Sequence, residues 1–177
     1  MTNIGFHAFA CCKSLQRITI PDSVTIIGNH AFERCESLKS IKIPNGVTSI
    51  SIGAFGSCKS LESITIPNSV TRIGEEAFYE CISLERITIP DGVTSIGDRT
   101  FLCCYKLKSI KIQDSVISIG NDAFYNCLSL ESITIPDSVT SMGCNAFDGC
   151  ANVTICAPSG SYAIVYAKDN GIKCKEI

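Results

Sequence analysis

The chain has 177 residues, of which 45% are apolar and 18% are charged, so it has material for a packed interior and little for disordered segments. A formal net charge of -2, with no run of lysine or arginine, excludes the basic footprint of a nucleic-acid-binding protein. No apolar stretch reaches the about 18 residues of a membrane span, and the start MTNIGFHAFACC does not have the pattern of an export signal.

A unit of 23 residues repeats along the chain. A partial unit covers residues 1–20, and a typical full unit reads PDSVTIIGNHAFERCESLKSIKI. The full units begin at Pro21, Pro44, Pro67, Pro90, Gln113 and Pro136. Self-similarity at such a period is typical of stacked repeats, so we expect a solenoid over residues 1–158.

Each unit predicts one short strand. In SLKSIKI, Ile41 and Ile43 alternate with polar residues, and Pro44 then ends the strand because it has no N–H to donate. The strands of seven coils should therefore stack in register as one parallel sheet, about 4.8 Å apart.

A second apolar group, Val24 and Ile27, follows in each unit. Gly28 suits a tight bend, and Asn29 suits the cap of a short helical turn over residues 31–35. We therefore expect helical turns on the side of the solenoid opposite the sheet.

Phenylalanine and cysteine each recur at one position of the unit. The phenylalanines, which we assign to the core, are Phe9, Phe32, Phe55, Phe78, Phe101, Phe124 and Phe147. The cysteines of the second column are Cys12, Cys35, Cys58, Cys81, Cys104, Cys127 and Cys150. We expect buried, reduced thiols there, because the Cβ vectors of stacked neighbours run parallel and disfavour disulfides. Outside the column, Cys156 and Cys174 are left as a pair that could connect the terminal helix to the last coil.

After Pro158 the repeat ends, and residues 159–177 predict an amphipathic helix and a short tail. Ser161 lies near the start of the helix, Lys168 near its end, and Gly171 suits its C-terminal stop. The predicted fold is thus an α/β repeat solenoid with a parallel sheet on one face, helical turns on the other and a C-terminal capping helix.

The pattern IPDSVTSIG followed by AFxxCxSLxSITIP resembles the BspA-like leucine-rich repeats over about residues 3–158. The tail GSYA…YAKDNGI is similar to the usual C-terminal end of such proteins. Ser51-Ile52-Gly53 departs from the usual glycine and two polar residues, and Gln113 replaces a proline. The resemblance implies a surface protein with a binding or adhesive role.

The residues predict no catalytic centre, no cofactor and no metal site. No cysteine or serine is placed with both a histidine and an orienting acid. His7 and His30 share a column in neighbouring coils, but two ligands are too few for zinc, and the sequence shows no clearly convergent carboxylate.

The outward positions of the strands form our candidate binding surface, which is polar and rich in hydroxyl groups. A solvated face without a ligand and a partner-binding face are both open at this stage. The two outward columns contain no aromatic anchor, which favours a polar peptide or a glycan as ligand. The candidate residues are Arg17, Lys42, Thr65, Arg86, Thr88, Ser109, Lys111 and Thr134. Tyr79, Tyr105 and Tyr125 lie on or near the turn side and offer a second surface.

Three functions remain open. The first is a non-enzymatic interaction module, for adhesion or for protein or glycan binding, at the cell surface or outside the cell. The second is a self-assembling structural spacer. The third is a regulatory binding repeat in the cytosol, which the expected free thiols and the absence of an export signal in this chain would favour.

The exposed edge of the first coil predicts an interface with a second copy of the chain. Met1 stands where later units have valine, and the strand over residues 15–20 should present unpaired backbone groups and an apolar end that includes Phe9. We expect a twofold homodimer through these N-terminal edges, because an identical edge is always available.

Overall fold

The computed structural model describes residues 2–177 as a stack of coils in which short parallel strands alternate with tight turns and irregular segments. In chain order the elements are β1 (Asn3–Ile4), β2 (Ile26–Ile27), β3 (Ser40–Lys42), β4 (Ser49–Ile50), β5 (Ser63–Thr65), β6 (Arg72–Ile73), β7 (Arg86–Thr88), β8 (Ser95–Ile96), β9 (Ser109–Lys111), β10 (Ser118–Ile119), β11 (Ser132–Thr134), β12 (Ser141–Met142), β13 (Thr154–Ala157), α1 (Tyr162–Asp169) and β14 (Lys173–Glu176).

Each full coil contributes two strands, so two ladders run along the solenoid. The two-residue strands form one ladder in the order β1-β2-β4-β6-β8-β10-β12. The longer strands form the other, which divides into β3-β5 and β7-β9-β11-β13-β14. The predicted parallel, in-register stacking of the longer strands is confirmed, since Ile41 pairs with Ile64 one repeat later, but these strands do not form the single sheet that we expected. The first ladder was not predicted, because two residues are too few to show an alternating pattern.

The segment that follows Gly28 is a succession of tight turns and not the predicted helical turn. Ala31 N donates back to Gly28 O at 3.2 Å, whereas Phe32 N donates to Ala54 O of the next coil at 2.9 Å. A helix would require each N–H to donate to the fourth residue before it. The left-handed φ of 55° at His30 interrupts that pattern, so the prediction of helical turns was wrong.

Left-handed backbone recurs at two positions of every coil. We call the first position the turn column: His7, His30, Gly53, Glu76, Arg99, Asp122 and Asn145. The second position comprises Cys11, Arg34, Ser57, Glu80, Cys103, Asn126 and Gly149. Most of these residues are not glycine, so the sequence lacks the usual signal for positive φ. Hydrogen bonds to the next coil offset the conformational cost of this backbone.

The phenylalanine column forms the centre of the core, as predicted. The rings from Phe9 to Phe147 stack with centroids 5.0 to 5.8 Å apart and nearly parallel planes. Phe32, Phe55, Phe78, Phe101, Phe124 and Phe147 are buried, whereas Phe9 is only partly buried. Columns of buried leucine, valine and isoleucine belong to the same core.

Glycine at the Gly28 position serves close packing between coils. A Cβ on Gly28 would lie 2.9 Å from the carbonyl carbon of Gly5, and one on Gly74 would lie 2.7 Å from Ile52 N. Ser51 replaces glycine in the third coil, where its hydroxyl donates to Ile27 O at 2.5 Å. The close approach of backbones, not the bend that we expected, therefore accounts for this column.

The C-terminal segment covers the last coil with the predicted helix, α1. Ser161 is its N-cap residue, Lys168 lies in its last turn, and Gly171 follows it with a φ of 66°. The Tyr166 hydroxyl donates to Gly143 O and accepts a hydrogen bond from Ala146 N, both at 3.2 Å. The tail then adds β14 to β13, so the solenoid ends as an eighth turn and not as an irregular extension.

Candidate binding surface

We define the strand face as the two outward columns of the longer strands and their continuation in the first coil. Seven of the eight candidate residues lie in β3, β5, β7, β9 and β11, while Arg17 lies outside any strand. All eight are exposed, as the alternation predicted. The ladder brings Arg86 beside Ser109 and Thr88 beside Lys111. The structure therefore places the predicted residues on the same side of the solenoid.

The charged members of the strand face carry one sign. Along the ladder the outward columns continue into β13 and β14, where Lys173 pairs with Thr154 and Lys175 with Cys156. Across residues 2–177, the charged residues in these columns are Arg17, Lys42, Arg86, Lys111, Lys173 and Lys175. Serines and threonines separate them at a strand spacing of about 4.8 Å. The surface thus has cationic groups at intervals among hydroxyl groups.

The ladder is interrupted in the middle of the strand face, between β5 and β7. A shallow depression opens there, lined on its outer side by Thr65, Arg86 and Thr88 and on its inner side by isoleucines that include Ile66. Ile66 is only partly buried, unlike its equivalents Ile43 and Ile89. Sequence reasoning missed this interruption, because the third and fourth coils carry the same residue types as their neighbours.

Charged residues of both signs flank the strand face on one side. Lys108 Nζ lies 3.0 Å from Glu85 Oε2, and this hydrogen bond, with the charge of Lys108, lowers the pKa of Glu85. Both side chains are largely exposed, so the pair contributes little to stability. The flank of the strand face therefore carries both signs of charge at this pair.

The cysteine column is buried as predicted, with one exception. Cys35, Cys58, Cys81, Cys104, Cys127 and Cys150 are buried, but Cys12 is exposed because no coil of residues 2–177 stacks outside the first one. Each buried thiol donates to the carbonyl of a phenylalanine in the preceding coil, as Cys81 Sγ does to Phe55 O at 3.2 Å. Burial raises the pKa of Cys81 to about 12. The sequence predicted small buried side chains and missed this hydrogen bond.

Cys156 and Cys174 are both free thiols. Cys156 lies opposite Lys175 on the outer side of the ladder, whereas Cys174 lies opposite the buried Ile155. Their side chains therefore point to different faces, and the pairing left open by the sequence is not formed.

His7 and His30 approach each other as their shared column predicted, and a carboxylate joins them. Their rings stack with centroids 5.0 Å apart, and His30 Nδ1 lies 3.3 Å from Glu33 Oε2. One ligand atom from each of these three residues lies within 4.8 Å of the other two. Glu33 was missed because the left-handed turn, and not a helix, determines where its side chain points.

The tyrosines do not form one surface. Tyr79 is half-buried and its hydroxyl donates to Glu33 Oε1 at 2.6 Å. Burial and this bond raise its pKa to about 12. Tyr125 is partly buried, and Tyr105 is 40% exposed. Of these three tyrosines, only Tyr105 is therefore exposed.

The predicted N-terminal edge differs from our expectation in its backbone. Residues 15–20 form no strand, and Ile20 is buried while Phe9, Leu15 and Ile18 are partly buried. Met1 lies outside the described residues. The homodimer through this edge stays a prediction, which light scattering over a concentration series would test.

Stacked coils, in-register ladders and a phenylalanine core define this chain as a leucine-rich repeat solenoid. The family model of the BspA type leucine rich repeat region matches six copies over residues 2–128 and 94–166. The chain therefore belongs to the BspA-type leucine-rich repeat family, whose members are generally protein-interaction or adhesion modules.

Solved structures show the same fold. A leucine-rich repeat protein from T. pallidum matches with a TM-score of 0.81 and 29% identity, over 99% of this chain and 79% of that chain. A leucine-rich cell surface protein from Faecalibacterium prausnitzii matches with a TM-score of 0.69 and 33% identity, over 98% of this chain and 54% of that chain. The pneumococcal vaccine antigen PcpA matches with a TM-score of 0.68 and 22% identity, over 92% of this chain and 41% of that chain, which supports the fold alone.

The comparison with curated proteins finds no match. Within residues 2–177, no helix is long and apolar enough to cross a lipid bilayer.

Proposed function

We propose that this chain is a non-enzymatic binding module whose strand face engages an extended, polar ligand with anionic groups, on a glycan or on a protein. The proposal is carried by two parallel columns in which basic side chains recur among serines and threonines. Lysine and arginine would pair with carboxylate or sulfate groups, and serine and threonine would bind hydroxyl or amide groups.

The interruption between β5 and β7 supports a central contact. It gives Arg86 and Thr88 a depression beside them on an otherwise flat ladder. Residues near the centre of an interface usually contribute most of the binding energy, so the contact should concentrate on Arg86, Thr88, Ser109 and Lys111.

A place at the cell surface is part of the proposal. It is supported by membership in the BspA-type family and by the Faecalibacterium prausnitzii relative, which is described as a cell surface protein. A cytosolic regulatory role and a structural spacer remain the alternatives, and the free thiols are compatible with a reducing compartment.

An array of acidic glycans, neutral glycans and matrix proteins would identify a ligand, and a biosensor titration would then compare variants. Replacing Arg86 and Lys111 together with glutamate should weaken binding by more than about tenfold, because cationic contacts become repulsive. Circular dichroism should show the fold unchanged, since both side chains are exposed.

Arg72→Glu is the matched control, because Arg72 is an exposed basic residue on the other ladder. It should leave the affinity unchanged. Equal affinity of the double variant and the unmodified chain would contradict the proposal and move the binding site to another surface, with the one around Tyr105 tested next.

A further inference from the structure

A cluster of two imidazoles and a carboxylate lies in the turns of the first two coils. His7 and His30 belong to the turn column, and Glu33 follows one turn later in the second coil. His30 Nδ1 and Glu33 Oε2 are 3.3 Å apart, and a His7 nitrogen completes a group of ligand atoms within 4.8 Å. These atom types are the ones that zinc and similar divalent transition metals prefer.

His30 has a buried nitrogen without a hydrogen-bond partner. Its Nδ1 is inaccessible to solvent, and although Glu33 Oε2 lies at ion-pair distance, the two atoms do not have hydrogen-bond geometry. A buried polar atom without a partner is costly. A cation placed between the histidine and the carboxylate would satisfy such a group.

The neighbouring coils hold Glu33 and His30 in place. The Tyr79 hydroxyl donates to Glu33 Oε1 at 2.6 Å from two coils away, and it reaches across Gly56, where a Cβ would collide with the tyrosine ring. Gly53 likewise leaves the space that the His30 ring occupies. Metal-binding carboxylates are commonly oriented by such outer hydrogen bonds, and Oε2 stays free to bind a metal.

We propose that His7, His30 and Glu33 bind a divalent transition-metal ion, for which zinc is the reference. Ligand atoms about 2.0–2.1 Å from a tetrahedral zinc lie about 3.3 Å from one another, the distance that already separates the His30 and Glu33 atoms. Because His7 is exposed, its ring is free to turn towards the other two ligands and complete the site. The fourth position is taken by water or by a group from a partner, and the ion joins the first coil to the second.

Histidine ring resonances provide a direct test, because the chain contains only two histidines. Exposed thiols are first alkylated under native conditions, so that Cys11, Cys12 and Cys144 do not compete for zinc. Zinc should then bind with a stoichiometry of one by calorimetry, shift both sets of ring signals and raise the thermal midpoint.

His7→Gln, His30→Gln and Glu33→Gln should each weaken zinc binding at least about tenfold, and Tyr79→Phe should weaken it less. Asp148→Asn is the matched control, because Asp148 occupies the Glu33 position in the seventh coil, and it should bind zinc as the unmodified chain does. Melting curves without zinc show whether each variant folds. Zinc affinity retained in both histidine variants, or ring signals that do not respond to zinc in the unmodified folded chain, would overturn the proposal.

Discussion

The phenylalanine column and the turn column run through the same coils, but the first keeps one residue type and the second varies. Every coil places phenylalanine in the stacked core, whereas the turn column holds histidine, glycine, glutamate, arginine, aspartate and asparagine on the same left-handed backbone. Each phenylalanine ring packs on an identical ring in the next coil, so phenylalanine has to recur at this position in every coil. The turn column is free to vary, and it carries what distinguishes one coil from the next.

The buried cysteines of the cysteine column belong to the core. Alkaline pH should lower the free energy of unfolding through these thiols more than any single substitution does. Burial raises the pKa of Cys35 from 9.0 to about 11 and that of Cys81 to about 12, and it raises those of Cys58 and Cys104 well above 9.0. Such thiols stay protonated in the native state and ionise in the unfolded chain. The contribution of these thiols to the free energy of unfolding should therefore be constant below about pH 9 and fall steadily as the pH rises towards 11–12.

Urea unfolding under reducing conditions at a series of pH values measures this slope. Cys81→Ala should make the slope shallower by about one proton, which is about 1.4 kcal/mol for each pH unit between 9 and 11. Phe78→Ala is the control, because it removes no thiol and should retain the slope. A Cys81→Ala slope equal to that of the unmodified chain would show that this thiol is not buried as the structure has it.

Phe78→Ala should cause the largest loss of stability among the single substitutions considered. Its ring is fully buried between Phe55 and Phe101, with centroids at 5.8 and 5.6 Å, so truncation leaves a cavity that the stacked coils cannot close. We expect a loss of about 3–5 kcal/mol in the free energy of unfolding, measured by urea at neutral pH.

Phe6→Ala is the exposed counterpart of Phe78→Ala, because Phe6 is 70% exposed beside the turn column. Its effect should stay within about 0.5 kcal/mol. Similar losses from both substitutions would mean that the ring stack is not the main source of cohesion between coils.

The sequence predicted the repeated parts of this molecule well, and the reason is physical. Isoleucines that alternate beside proline specify one exposed and one buried side at every strand, so the strand face could be named residue by residue. The prediction of helical turns was wrong, because left-handed φ at non-glycine residues such as His30 is imposed by hydrogen bonds between coils and not by local preference. The approach of Glu33 to His30 depended on those turns, so it could not be predicted either.

A small effect, and the one most sensitive to salt, is expected where the turn column pairs its own charges. Arg99 lies between Glu76, at 3.1 Å, and Asp122, at 3.8 Å, one coil to either side. The hydrogen bond and charge of Glu76 raise the pKa of Arg99, so the arginine keeps its charge at every practical pH. All three side chains are accessible to solvent, and salt screens such a row.

Arg99→Glu would place three carboxylates in consecutive coils and should lower the thermal midpoint by less than about 4 °C at low ionic strength. The difference should shrink in about 1 M salt, where the screening length falls to about 3 Å. Arg99→Gln, which removes the attraction without adding repulsion, should fall between the two chains. A loss that persists in high salt would instead indicate that Arg99 contributes packing, and the contrast between core and turn columns would then be weaker than the structure indicates.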